Sequence, residues 1–204
     1  MKRLAAVLAM VAVLAGCETV PETPPVAPVA DIGAAWAARE RRLGALEHWD
    51  TAGRVAVRAD AESFTAGLRW DQDGGRYRIL LSGPLGQGGA RLEGAPGEVV
   101  LTTARGETFR AARPDDLLYQ QLGWRMPLGG LRYWLVGISD PSAPLSRLEL
   151  DGSGLPTRLD QGDWVVEFEG WGTFEGEPMP TRMRVHNARV DAKVALQSWT
   201  VAPP

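Results

Sequence analysis

Three segments decide the fold: Val55-Ala56-Val57-Arg58-Ala59, Phe64-Thr65-Ala66-Gly67-Leu68-Arg69-Trp70 and Tyr77-Arg78-Ile79-Leu80-Leu81. Val55, Val57 and Ala59 alternate with Arg54 and Arg58. Phe64, Ala66, Leu68 and Trp70 alternate with Ser63, Thr65 and Arg69. Tyr77, Ile79 and Leu81 alternate with Arg76 and Arg78. Successive side chains on a strand point to opposite faces, so each segment reads as a strand with one buried face. The breaks at Ala59–Glu62 and Asp71–Gly75 suit hairpins.

The same pattern continues outward. Ala90–Glu93, Glu98–Thr103 and Glu107–Ala111 read as short strands, with turns at Pro96-Gly97 and Arg105-Gly106. The last third returns to strands at Arg147–Leu150, Thr157–Asp160, Asp163–Glu169, Thr181–Asn187 and Arg189–Val201. Trp164, Val166 and Phe168 alternate there with Glu167 and Glu169. Val190, Ala192, Val194 and Leu196 share one side of the final strand, whereas Trp199 and Val201 have the opposite parity. That change predicts a bulge. Consecutive short strands with tight turns predict an antiparallel meander.

Three helices punctuate the strands. From Asp31 to about Trp49, Ile32, Trp36, Leu43 and Leu46 recur at helical spacing, and Asp31 can cap the start. Arg39, Glu40, Arg41, Arg42 and Glu47 fall on the other face, which is expected to meet solvent. Pro114–Leu122 has proline at the helix start and two aspartates in the first turn. Leu128–Val136 is the third, although Gly129 and Gly130 weaken it by about 1 kcal/mol each. The sum is a mainly β chain of about ten or eleven strands, a sheet long enough to curl. A curled sheet encloses an interior that is either filled or left as an apolar cavity. Eight tryptophans supply bulk for filling, and spacing alone leaves both readings open. If there is a cavity, the inward positions Val57, Phe64, Leu68, Trp70, Ile79, Leu81, Val166 and Phe168 are the candidates to line it.

The first residues read as an export signal. Lys2 and Arg3 precede the apolar run Leu4–Leu14, which is too short to span a bilayer. Leu14-Ala15-Gly16-Cys17 follows, and resembles the cleavage site of bacterial lipoproteins, in which the cysteine is acylated. Residues 1–16 are therefore expected to be a signal peptide and Cys17 a lipidated N-terminus. Cys17 is the one cysteine, so no intrachain disulfide can form. Residues 17–30, with four prolines, read as an extended tether, and residues 31–204 as a single domain.

The chemistry-bearing residues are few. His48 and His186 lie in no metal-ligand spacing, and the first is placed by the pattern at a helix end. Gly152-Ser153-Gly154 is a turn and not a nucleophile elbow. The glycines at 83, 86, 88 and 89 form neither a dinucleotide fingerprint nor a phosphate loop. No enzyme activity, cofactor or metal is expected. The formal net charge is −3, and loss of Lys2 and Arg3 makes the remainder more acidic, so no nucleic acid is expected as a partner. Between two strands, Ser82-Gly83-Pro84-Leu85-Gly86-Gln87-Gly88-Gly89 holds a large aliphatic residue on a stiff turn. Leu85 either packs against the body of the domain or projects as a tip that dips into lipid.

Several features coincide: Leu14–Cys17, Trp36, Gly53 opening a strand, Trp70 and Tyr77 flanking a hairpin, and Gly83-Pro84-Leu85-Gly86. Trp134-Leu135-Val136-Gly137, Gln161-x-x-Trp164, Pro180 and Trp199 complete them. In this order and spacing they resemble the LolB family of outer-membrane lipoproteins across essentially the whole mature domain. The resemblance implies an unclosed antiparallel β-barrel, capped by helices around an apolar cavity. It implies an outer-membrane receptor that accepts acylated lipoproteins from the periplasmic carrier LolA and inserts them into the outer membrane. The partners it implies are LolA, the acyl chains of cargo lipoproteins and outer-membrane lipid, for a chain expected to act as a monomer. It assigns Pro84, Leu85 and Gly86 to a membrane-inserting loop. Alternative readings are a lipoprotein docked on an outer-membrane assembly or peptidoglycan, and, more weakly, an anchored hydrolase.

Overall fold

The computed structural model describes residues 30–60, 62–83 and 88–201. Cys17, the tether up to residue 29 and Pro84–Gly86 lie outside the described residues. Helix α1 (Ile32–Gly44) leads into five strands, β1 (His48–Ala59), β2 (Glu62–Asp73), β3 (Arg76–Ser82), β4 (Gly89–Ala95) and β5 (Glu98–Thr103). Then come β6 (Thr108–Ala111), α2 (Pro114–Leu122) and α3 (Leu128–Leu135). Five strands close the chain: β7 (Leu145–Leu150), β8 (Pro156–Gln161), β9 (Trp164–Phe174), β10 (Glu177–His186) and β11 (Val190–Val201).

All eleven strands form one antiparallel sheet in the order β6-β5-β4-β3-β2-β1-β11-β10-β9-β8-β7. Neighbouring strands rotate by about 20–25° each, so a sheet this wide curls. It does not close: β6 and β7 are its two edges. The chain joining those edges contains α2 and α3. Connectivity therefore puts the helical cap on the concave side of the sheet, between its edges, as expected of an unclosed barrel. The first and last strands pair along their length, from Trp49 opposite Val201 to Ala59 opposite Val190. The bulge anticipated in β11 lies there, where the register slips between the pairs Ala52–Ser198 and Gly53–Leu196. Gly53 is required at that slip, because a Cβ on it would run into the carbonyl of Ala195.

Three features differ from the sequence reading. The helix from Asp31 ends at Gly44, and His48 and Trp49 already belong to β1. His48 pairs with exposed Asp73 on the neighbouring strand at 2.8 Å, and Trp49 packs its ring 5.7 Å from Trp70 and 5.5 Å from Trp199. Cross-strand aromatic packing outweighs continuation of the helix at these residues. The hairpin of β9 and β10 extends to Phe174 and Glu177 through Glu175-Gly176, beyond the expected ends. Pro178 and Pro180 hid it. They sit where β10 pairs with β9 but no longer with β11, so their missing N–H costs little. Third, Arg39 is buried and not on a solvent face.

Candidate functional site

The two halves of the concave surface are filled differently. On the β7–β9 side the interior is solid. Leu159 and Val166 are fully buried. Trp134 of α3 lies 6.3 Å from Trp164, and Phe168 stacks on Trp171 at 5.4 Å. The Arg39 guanidinium of α1 covers the outer face of Trp171 at 4.9 Å. Gln161 locks α3 to this half with all four of its hydrogen-bonding positions. Its Oε1 accepts from Trp134 Nε1 and from the Asp140 backbone N–H, both at 2.8 Å. Its Nε2 donates to the carbonyls of Asp140 and Ala143, both at 3.0 Å. A fully satisfied buried amide fixes one arrangement of its neighbours.

On the β1–β5 side the cap stands off the sheet and leaves an apolar cavity of about 140 Å³. Its walls are Val55 and Val57 from β1, Phe64, Leu68 and Trp70 from β2, and Ile79 and Leu81 from β3. Ala90, Leu92 and Leu101 continue the wall on one side, Val185, Ala192 and Val194 of β10 and β11 on the other, and Leu118, Leu122, Trp124, Met126, Leu128, Leu131 and Leu135 roof it. Every lining side chain is apolar. Such a space stays free of water, because water there would find no hydrogen-bond partner.

Six of the eight lining candidates, Val57, Phe64, Leu68, Trp70, Ile79 and Leu81, face this cavity. Val166 and Phe168 do not. Their parity points them inward, but both are packed into the core, Phe168 against Trp171. Missing from the sequence reading was the roof. Leu118 and Leu122 on α2, with Leu131 and Leu135 on α3, occur at the i, i+4 spacing of a helix face, and that signal could have placed them.

The cavity is closed at one end and open at the other. At the closed end Trp49, Trp70, Trp199 and Tyr77 form an aromatic plug, with Trp70 and Tyr77 6.1 Å apart. Trp70 Nε1 donates to Gln72 at 3.0 Å and Trp199 Nε1 to the Pro180 carbonyl at 3.0 Å, whereas the buried Tyr77 hydroxyl has no hydrogen-bond partner. At the open end Phe64 and Leu122 line the cavity and also reach solvent. Trp124 lines both this cavity and an adjoining polar cleft of about 480 Å³ bounded by Asp115, Tyr119, Arg125, Asp163, Asn187 and Arg189. Burial pushes the Asp115 carboxyl up from its ordinary value. Burial, then the neighbouring Asp115 charge, pushes the Tyr77 phenol up to about 12, so it stays neutral.

His48 is an exposed strand residue, and His186 Nε2 lies 3.5 Å from Glu167 on the outer face with no hydrogen-bond partner. No group of three or more His, Cys, Asp or Glu side chains is placed to hold a metal ion among the described residues.

Against known proteins, residues 47–199 match the family described as outer membrane lipoprotein LolB. The chain belongs to the LolB family. A LolB from Alkalilimnicola ehrlichii is 38% identical over 191 residues, 94% of this chain and 93% of that protein. One from Halorhodospira halophila is 40% identical over 155 residues, 76% of each. The fold extends beyond LolB. A LolA superfamily protein of Nitrosomonas europaea superposes with a TM-score of 0.53 over 85% of this chain and 94% of its own, at 9% identity. Two of the motifs that carry the LolB resemblance acquire a physical reason here. Gln161 and Trp164 clamp α3, and Gly137, at φ +77°, leaves room for Trp171 and Arg39.

Proposed function

We propose that this LolB-family protein is an outer-membrane lipoprotein receptor, anchored through Cys17 and facing the periplasm. It takes acylated lipoproteins from the soluble carrier LolA and passes them into the outer membrane. The observation that carries the reading is the wholly apolar cavity with one open end beneath a helical cap. Nothing polar lines it, so it offers shelter to a hydrocarbon and no handle to a polar substrate.

The driving force is a gradient of hydrocarbon shielding. Each acyl methylene exposed to water costs about 0.8 kcal/mol. The cavity shields less completely than a bilayer and more completely than the carrier, so transfer runs downhill without nucleotide. Its resting volume of about 140 Å³ matches the scale that accepts a benzene-sized solute. Loading with full-length chains therefore requires α2 and α3 to move away from β1–β5. The Gln161 clamp gives the moving cap a fixed hinge side.

Pro84, Leu85 and Gly86 supply the delivery tip in this reading. The Leu85 side chain, buried in lipid, contributes roughly 1.5–3 kcal/mol. Leu85→Glu is expected to leave binding of a fluorescent acyl probe unchanged and to slow transfer of cargo into liposomes at least about tenfold, the equivalent of ~1.4 kcal/mol. Transfer at the parental rate would remove the loop from the mechanism. Failure of the parent domain to bind the probe would remove the cavity from it.

A further inference from the structure

Among the described residues, large apolar side chains left exposed are few: Phe64 at 40%, Tyr119 at 46%, Leu122 at 38%, Ile32 at 39% and Leu145 at 38%. Two of them stand at the entrance and a third, Tyr119, borders the adjoining cleft beside it. Phe64 and Leu122 line the cavity. Tyr119 precedes Leu122 by three residues on α2, so the two share a helix face. Arg125 covers the Tyr119 ring at 4.9 Å.

This rim lies at the same end of the barrel as the loop after β3. Strand β2 overshoots β3: the last β2–β3 pair is Gly67–Ser82, and Phe64 stands three residues further out, about 10 Å along the strand. The loop closes next to it, where Gly83 N–H donates to the Gly88 carbonyl at 3.3 Å, and Ala104 N–H donates to the Gly89 carbonyl at 2.9 Å. On the other side of Phe64, Arg189 pairs with Asp60 at 2.7 Å, joining the β1–β2 and β10–β11 turns. Exposed Arg58 and Arg105 stand around this end, with Arg125 paired to Asp116 at 3.6 Å, and cations at that position suit headgroup phosphates.

The N-terminal helix lies at the opposite end. The Glu47 carbonyl, just after α1, accepts from Gly74 N–H at 2.8 Å beside the β2–β3 turn, and Arg39 donates to Pro178 next to the β9–β10 turn. The twelve residues of β1 span about 40 Å between the two ends. Residues 17–30 reach at most about 50 Å when extended. A chain anchored at Cys17 is thus long enough, with little to spare, to let the far end turn back to the membrane.

We propose that Phe64, Tyr119 and Leu122 form a lipid-contacting rim that seats the cavity entrance on the bilayer surface, beside the loop and remote from the tether. This rests on the reading that the cavity carries acyl chains and that residues 84–86 enter lipid. It adds that cargo passes from cavity to bilayer through an apolar seal and crosses no water.

Every described helix and strand lies between Ile32 and Val201, so the fragment 31–204 carries the fold and lacks the anchor. Its flotation with phosphatidylethanolamine/phosphatidylglycerol vesicles tests the rim. Phe64→Asp, Tyr119→Asp and Leu122→Asp are each expected to lower the partition coefficient about fivefold, with near-ultraviolet circular dichroism unchanged. Ile32→Asp, at a site equally exposed but at the far end, is expected to float like the parent. Parental flotation of all three rim variants would overturn the proposal, as would an equal loss in Ile32→Asp. Rim variants that float normally but no longer accept cargo from the soluble carrier would assign the rim to protein docking instead. Rim-dependent flotation of a domain that binds no acyl probe would support the rim while refuting the cavity reading.

Discussion

Arg39→Ala is expected to destabilise the domain by about 3–5 kcal/mol, the cost typical of removing one partner from a buried ion pair. The Arg39 side chain is 4% accessible, against 18% for its partner Glu177. Nε donates to the Gly137 carbonyl at 3.0 Å and Nη2 to the Val136 carbonyl at 2.7 Å. Nη1 donates to Pro178 O at 2.9 Å and to Glu177 Oε1 at 3.1 Å. One guanidinium thus joins α1, the end of α3 and the start of β10, and it also covers Trp171. Burial lowers its pKa to about 10, with the Glu177 charge opposing that shift, so it remains a cation at neutral pH. In the alanine variant three carbonyls lose their donor in the interior, each at about 1–3 kcal/mol if unhydrated. Glu177 keeps Arg42, whose Nε and Nη2 donate to it at 2.9 and 2.7 Å, and this holds the loss to the stated range. At about 2–4 °C per kcal/mol for a domain of this size, the melting temperature falls by roughly 6–20 °C. Lysine cannot replace the fork, so Arg39→Lys recovers little. Arg41→Ala, on the exposed side of the same helix, is the control and is expected to stay within about 0.5 kcal/mol of the parent. A calorimetric loss below about 1 kcal/mol for Arg39→Ala would mean that water replaces the guanidinium at those carbonyls.

Arg39 also shows where sequence reasoning stopped. In α1 it belongs to the charged set Arg39, Glu40, Arg41 and Arg42, and helical spacing assigns that set to solvent. Its burial depends on Gly137, Pro178 and Trp171, more than ninety residues away, and no local period encodes that meeting. By contrast the eleven strands were legible, since each carries its own alternation and its own turn residues. So was the β11 bulge, because a change of parity is itself local. The cavity was half legible. Parity told which side chains face inward, and Val166 and Phe168 satisfy it as well as Val57 and Leu68 do. What lies across from each is decided by the cap, which covers one half closely through Gln161 and Trp134 and stands off the other.

That difference makes the cavity testable by filling it. Ala90 lies on β4 opposite Leu81 and Thr103, lines the cavity and is only half-buried, so a larger side chain there need not displace the backbone. Ala90→Phe puts a ring into the space a hydrocarbon would occupy. Displacing roughly two methylenes' worth of contact costs about 1.6 kcal/mol, so affinity for a fluorescent acyl probe is expected to fall about fifteenfold. Overpacking would lower stability by about 1–3 kcal/mol, whereas a ring that merely fills the void would hold or raise the melting temperature. Measuring both separates lost space from lost fold. The loss should be steepest for short probes, because a long chain that has already lifted α2 and α3 gains room the ring does not reach. Cargo reception from the carrier should decline in parallel with probe binding, while flotation of the domain, which draws on the rim, stays at the parental level. Parental probe affinity in a folded Ala90→Phe variant would place the acyl chains somewhere other than this cavity, and the shielding gradient would then need another site.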